Sequence, residues 1–145
     1  MKPVNEAKLV FLSRSANEGF ARTAAACFAA QLDPTLDEVN DIKTAVSEAV
    51  TNCIVHAYPE KLGTVTLRLR LYPDNSLEIM VKDAGVGIDD VEKARKPLYT
   101  TGGDDRSGMG FTIMESFMDT LKVRSRPGKG TTVTMRRRIA RRLQA

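Results

Sequence analysis

The chain has no tryptophan, a single histidine and only two cysteines among its 145 residues. No Ser/His/Asp triad is recognised, and the single histidine, His56, is expected at a helix end, packed near a sheet. Cys27 and Cys53 match no zinc spacing and are expected as buried, reduced thiols on helix faces of a cytoplasmic protein. No apolar run approaches the roughly 18 residues that cross a bilayer, and no signal-like N-terminus is seen, so no membrane role is expected. Internal repeats and low-complexity linkers are missing as well. A chain of this length is expected to form one domain, residues 1–145, whose core needs no metal or disulfide. A Walker-type phosphate loop is also lacking. Gly128-Lys129-Gly130-Thr131 imitates its end, but the first glycine of that motif would fall at Val123.

Positive charge is concentrated rather than spread. The net charge is +4, yet Arg136, Arg137, Arg138, Arg141 and Arg142 place five cations in residues 136–145 with no acid beside them, leaving about −1 for the rest. Such a tail can bind nucleic acid or anionic lipid. No helix of the body combines basic residues with base-reading groups, however. The tail is therefore read as a solvated strand end and frayed terminus, with no direct nucleic-acid partner.

What is present is a sequence of periodic segments. Residues 8–13 read as a short first strand, apolar on both faces, which would leave a poorly protected sheet edge unless paired. Ser15 and Glu18 form an S-x-x-E pattern, and the following helix is expected to bury Phe20, Ala24, Cys27, Phe28 and Leu32. Thr35 and Glu38 repeat the pattern before a helix reaching about Ala57, with Val39, Ile42, Val46, Val50, Cys53 and Ala57 on its stripe. The period then changes to two: Val65, Leu67, Leu69 and Leu71 alternate with Thr66, Arg68 and Arg70. A turn at 73–76 leads to a returning strand, 77–82. A short helix at 89–96 stops at Pro97. Residues 98–107 read as a loop, and Phe111, Met114, Phe117, Met118 and Leu121 as another helix. Met109, Met114 and Met118 are expected as core packing. Two last strands flank Pro127 to Gly130. Helices in one layer over a mainly antiparallel sheet make an α+β sandwich.

Three stretches carry chemistry. In Glu48-Ala-Val-Thr-Asn52, Glu48 and Asn52 lie one turn apart on a helix face turned from the apolar stripe. A carboxylate and an amide side by side can hold a magnesium ion through oxygen, or the carboxylate can take a proton from an attacking hydroxyl. A solvated polar pair is the plain alternative. Asp83-Ala-Gly85-Val-Gly87 follows a strand directly. Its glycines let backbone approach a ligand closely, and Asp83 could accept a hydrogen bond from an adenine amino group; a simple turn would look the same. Ser107-Gly108-Met109-Gly110 opens a helix whose free N–H groups suit phosphate oxygens. Arg106, in the loop before it, could reach a terminal phosphate or be an ordinary surface arginine.

As a set these stretches resemble the N, G1 and G2 boxes of the GHKL ATPase and kinase superfamily. Ser47 to Asn52, Arg95 to Thr101 and Arg106 to Met114, with Asn17 to Arg22, Leu32 to Thr35 and Lys129 to Val133, resemble more closely the anti-sigma F factor family of endospore-forming bacteria. That resemblance implies a two-layer α/β sandwich of the GHKL (Bergerat) type, helices on one face of the sheet, binding ATP or ADP with Mg2+. It implies a homodimeric serine kinase that holds a sporulation sigma factor inactive and phosphorylates an anti-anti-sigma partner. By position, Glu48 matches the general base, Asn52 the magnesium ligand and Asp83 the adenine-reading residue, helped by Thr131 or Thr132. Gly85, Gly87, Gly108, Met109 and Gly110 match the nucleotide loops, with Thr100, Thr101 and Ser107 beside them. Arg106 matches the lid arginine and Arg22 a surface arginine used in partner docking. The segment Gly102-Gly103-Asp104-Asp105 is short and glycine-rich for the family, and residues beyond Met135 fall outside the pattern. Three competing readings share these boxes. They are a histidine-kinase catalytic domain, a stress-response anti-sigma kinase, and a sigma-binding module without catalysis. No phosphoacceptor helix precedes the fold, and His56 lies too close to Asn52 to be that acceptor.

Overall fold

The computed structural model describes residues 1–96 and 109–141. Five antiparallel strands form one sheet in the order β1-β2-β3-β5-β4. They are β1 (Asn5–Leu12), β2 (Thr64–Leu71), β3 (Ser76–Asp83), β4 (Thr120–Arg126) and β5 (Gly130–Arg138). The helices are α1 (Ala16–Ala29), α2 (Leu36–Asn52), α3 (Val91–Ala94) and α4 (Gly110–Phe117). The fold is the expected α+β sandwich, with helices over one face of an antiparallel sheet.

The sheet is one-sided because its strands alternate. In β2, Val65, Leu67 and Leu69 are at most 1% exposed, while Thr66, Arg68 and Arg70 occupy the other face. Register carries this across the sheet: Leu67 lies between Leu9 and Val81, and Val81 opposite Val133. Ile42, Val46 and Val50 of α2 complete the same buried cluster. Each side chain of this kind contributes roughly 1.5–3 kcal/mol when fully buried.

Several details depart from the sequence reading. The capping box of α2 forms: Thr35 Oγ1 accepts from the Glu38 amide at 3.1 Å, and Glu38 Oε1 accepts from the Thr35 amide at 2.8 Å. That of α1 does not. Ser15 has helical rather than extended backbone angles and makes no cap bond, while the Glu18 carboxylate is drawn to the Ser47 hydroxyl of α2 and to Arg22. The face of α1 is also different. It buries Ala21, Ala25 and Ala29, whereas Phe20 is 53% exposed and Cys27 is exposed. Small residues let α1 lie close to α2 and the sheet, and the larger Phe20 is displaced to the flank, edge-on to Phe11 with centroids 6.3 Å apart. Cys27 is thus not the buried thiol expected. Strand β1 is apolar on both faces over residues 9–12, as expected: Leu9 and Phe11 pack against the core, while Val10 and Leu12 are 61% and 45% exposed on the other face. Helix α4 ends at Phe117, and Leu121 belongs to β4.

The arginine-rich end is not a frayed tail as far as Arg141. Arg136, Arg137 and Arg138 lie in β5. Arg137 Nη1 donates to Asp41 Oδ2 at 2.6 Å and to the Phe117 carbonyl at 2.8 Å, tying the sheet to α2 and α4. The Arg136 guanidinium stacks 4.4 Å above the Tyr72 ring and reaches Asp74. Arg141 donates to the Pro73 carbonyl, and Ile139 is fully buried. A strand end next to the 73–76 turn supplies acceptors that a free terminus would lack. Arg142 falls outside the described residues.

Candidate nucleotide site

A cavity of about 340 Å³ opens between the end of α2, the end of β3 and the start of α4, lined among others by Asn52, Cys53, Asp83, Gly87, Phe111 and Thr131. That volume is in the range of small-molecule pockets. Asp83, the last residue of β3, is 6% exposed. A buried carboxylate needs donors, and its own turn and the neighbouring strand provide them. Oδ1 accepts from the Gly85 amide at 3.0 Å and from the Thr131 amide at 3.1 Å, and Oδ2 from the Cys53 thiol at 3.4 Å. Burial pushes the Cys53 thiol far up, and the Asp83 carboxylate pushes it further. Cys53 is therefore the donor of that pair.

Close approach of backbone explains the glycines. A Cβ on Gly85 would stand 2.2 Å from the Ala57 carbonyl oxygen, and that oxygen accepts from the Val86 amide at 3.0 Å. Gly87 has φ +77° and lies against the Arg126 carbonyl. Gly130, at φ +98°, would drive a Cβ to 2.2 Å from the Asp83 carbonyl oxygen. These contacts dock the 83–87 turn between the end of α2 and the β4–β5 hairpin. The hairpin that imitates a phosphate loop thus serves as a brace for Asp83.

Helix α2 does not simply run to Ala57. Its last turn, Cys53–Ala57, widens into a π-helical turn, a feature frequent at functional sites. Cys53, His56 and Ala57 all line the cavity as a result. Tyr58 follows directly. Its buried hydroxyl donates to the Thr64 carbonyl at 2.8 Å and accepts from the Ala84 amide at 2.7 Å, clamping the ends of β2 and β3 beside Asp83. Burial raises its pKa, more than the Ala84 hydrogen bond lowers it.

Glu48 and Asn52 do not face open solvent. A Cβ placed on Gly110 would meet Asn52 Oδ1 at 3.3 Å and Glu48 Oε2 at 3.4 Å. The carboxylate and the amide are therefore packed together beneath the first residue of α4, and both side chains are partly buried. Gly110 is the residue that lets this helix start come down on them. An amide oxygen and a carboxylate are the hard donors that magnesium takes, with water and phosphates filling the other positions.

The remaining expected residues separate. Thr131 faces the cavity, whereas Thr132, the next residue of β5, alternates to the open face of the sheet opposite Lys82 and Arg124. Met109 immediately precedes α4. Arg22 lies on α1, away from the cavity, 3.5 Å from Glu18. Thr100, Thr101, Arg106, Ser107 and Gly108 lie outside the described residues. Sequence reasoning missed Cys53, Tyr58 and Gly130 as parts of the site. Only Gly130 had a local signal, a glycine next to Thr131; the other two are recognised by what they touch across the fold.

Comparison with known proteins agrees with this architecture. The family model described as histidine kinase-like ATPase domain matches residues 11–137. The anti-sigma F factor of Caldanaerobacter subterraneus subsp. tengcongensis is 59% identical, covering 94% of this chain and 96% of that protein. The anti-sigma F factor of Geobacillus kaustophilus is 51% identical, covering 94% of each. Among solved structures, the RsbU and RsbW domains of Rv1364c from Mycobacterium tuberculosis match with a TM-score of 0.68 at 18% identity, over 99% of this chain and 35% of that one. At that identity the likeness concerns the fold alone. With an antiparallel sheet under one helical layer, and a cavity walled by Asn52, Asp83 and the glycine turns, the chain belongs to the histidine kinase-like ATPase domain family and, within it, to the anti-sigma F factors.

Proposed function

We propose that this chain is a cytoplasmic anti-sigma factor that binds and inhibits a sporulation sigma factor as a homodimer. In the same reading it phosphorylates a serine of an anti-anti-sigma protein with Mg-ATP. The observation that carries the catalytic part is a cavity lined by Asn52 and by Asp83, which is braced by the Gly85 and Thr131 amides, with Glu48 packed beside Asn52 under Gly110.

Each residue has a role that follows from its position. Asp83 holds an adenine amino group, because its donors leave acceptor capacity on Oδ2. Gly87 keeps the turn close enough for backbone contact. Gly110, at the head of α4, directs backbone N–H groups toward phosphate oxygens. Asn52 offers its amide oxygen to a magnesium ion, which would neutralise phosphate charge. Among the described residues no cluster of three His, Cys, Asp or Glu could hold a metal alone, so Asn52 would share the ion with water and phosphates. Glu48 accepts the proton of the seryl hydroxyl as its oxygen bonds to the terminal phosphorus and the bond to the departing diphosphate breaks. Arg106, Thr100, Thr101, Ser107 and Gly108 keep in this proposal the nucleotide-contacting roles that the family resemblance implies. Arg22, remote from the cavity, serves partner docking. The half-exposed edge strand β1, with Val10 and Leu12 uncovered, is offered as the dimer surface.

The decisive experiment mixes the protein with Mg-ATP and a candidate anti-anti-sigma protein and looks for phosphoserine. Capture of a sigma factor without phosphoserine would reduce the proposal to a binding module. Phosphotransfer onto a histidine would replace it with a histidine kinase.

A further inference from the structure

The two edges of the sheet differ in chemistry. β1 presents apolar side chains, while β4 presents cations. Lys122, Arg124 and Arg126 occupy alternate positions of β4, all exposed and all on the open face. Strand geometry sets them about 7 Å apart. Behind them the register places Thr134 next to Lys122, and Thr132 between Arg124 and Lys82. Elsewhere on this face three arginines are matched, Arg68 with Glu78 at 3.5 Å, Arg70 with Glu6 at 2.8 Å and Arg136 with Asp74 at 3.4 Å, while Lys82, one strand in from β5, adds a further cation behind the row. Among the described residues, no carboxylate pairs with Lys122, Arg124 or Arg126, and β4 makes its backbone ladder with β5 alone.

A row of edge cations has a protective use, since like charges keep two copies from pairing edge to edge. The same property selects what can pair. An added strand would place every second side chain opposite this row, where opposite charges attract and like charges repel. We propose that the β4 edge is a docking site for an extended acidic segment of a partner protein, added to the sheet as a sixth strand with carboxylates at alternate positions facing Lys122, Arg124 and Arg126. A second copy of this chain is disfavoured because it would bring the same cations. Nucleic acid is disfavoured because a flat sheet edge has no element to enter a groove, and the Tyr72 ring is already covered by Arg136. The site goes beyond the nucleotide chemistry and uses side chains that do not line the cavity.

The probe is a fluorescent seven-residue peptide with glutamate at alternate positions among threonine and valine, titrated into the intact protein by anisotropy. A control isomer of the same composition has its glutamates adjacent. The alternating peptide is expected to bind about tenfold more tightly than the control, reflecting three opposite-charge cross-strand pairs, and to slow amide exchange in β4. Lys122→Glu and Arg124→Glu together should abolish this binding and confer binding to the lysine version of the peptide, with ATP affinity unchanged. Equal binding of the two isomers would overturn the proposal, since only diffuse charge attraction would remain. Displacement by duplex DNA at equal charge concentration, or protection confined to β1, would overturn it as well.

Discussion

At the scale of single residues, two partly buried polar groups under Gly110 have separable roles. Glu48→Gln keeps the shape and one acceptor oxygen but removes the proposed base. Phosphoserine formation should fall roughly 10²–10⁴-fold, the usual range for a general base, with ATP binding retained. Asn52→Ala removes a proposed metal ligand and should weaken Mg-ATP binding itself. Calorimetric titration and single-turnover phosphorylation read the two effects, and a wild-type rate for Glu48→Gln would place the base elsewhere. The two cysteines should divide just as clearly. Cys27 is exposed, while Cys53 is 3% exposed and kept protonated by burial and by Asp83. Only thiolates react readily. One equivalent of thiol should therefore label promptly in the native protein and the second only on unfolding. Cys27→Ser should remove the fast phase; a fast phase that persists in that variant would contradict the burial of Cys53.

At the scale of elements, identical-looking caps have different worth. Thr35 and Glu38 exchange both hydrogen bonds of a capping box, so Thr35→Ala should cost about 1 kcal/mol in chemical denaturation. Ser15 makes no cap bond, and Ser15→Ala should change stability by less than about 0.5 kcal/mol, as for a surface substitution. Equal losses at both positions would show that the α1 box forms in solution. The difference was not legible in either motif. It arises because Ser15 takes a helical backbone conformation and the Glu18 carboxylate has another partner in Ser47, a neighbour only after α1 packs on α2. Helix α1 teaches the same lesson about its face. Phe20 and Cys27 fit a helical stripe as well as Ala21 and Ala25 do, and only the close approach of α2 selects the small residues. Strand β2, by contrast, could be read directly, because a period of two admits one buried face.

At the scale of the whole molecule, the C-terminal arginines hold the sheet to the helices. Removing residues 136–145 would take three residues of β5, the Arg137–Asp41 pair and the fully buried Ile139. That truncation should markedly lower the melting temperature, whereas ending the chain after Arg141 should leave it nearly unchanged; equal melting of both would return the segment to the status of a tail. Asp74 adds a pH dependence. Its carboxyl is held below the usual range, first by the Ser76 hydroxyl and then by the Ser76 amide, Arg136 and Arg138, against a smaller effect of burial. A lowered folded-state pKa contributes stability that is present above the unfolded value, near 3.9, and lost as pH falls through the folded one. Asp74→Asn should accordingly lower stability at neutral pH, have little effect in strong acid, and so flatten the acid limb of the profile below about pH 4. A steeper acid limb in that variant would reverse the assignment. Oligomeric state tests the other edge. Sedimentation at micromolar concentration should show a dimer that Val10→Lys with Leu12→Lys dissociates; a wild-type monomer would remove β1 from this role.

The sequence by itself determined the class of fold, the helix and strand periods, the cap at Thr35 and the boxes containing Glu48, Asn52, Asp83 and Gly110. These depend on local spacing, and spacing survives in one dimension. Only the tertiary structure decided that Cys53, Tyr58 and Gly130 brace Asp83, that Thr131 faces the cavity while Thr132 faces away, and that the arginines of β5 reach Asp41, Asp74 and Tyr72. Those contacts join residues far apart in the chain, such as Arg137 and Asp41, ninety-six positions apart. A buried carboxylate or guanidinium takes whichever partner the packed elements bring within hydrogen-bond distance, and no local pattern encodes which one that is.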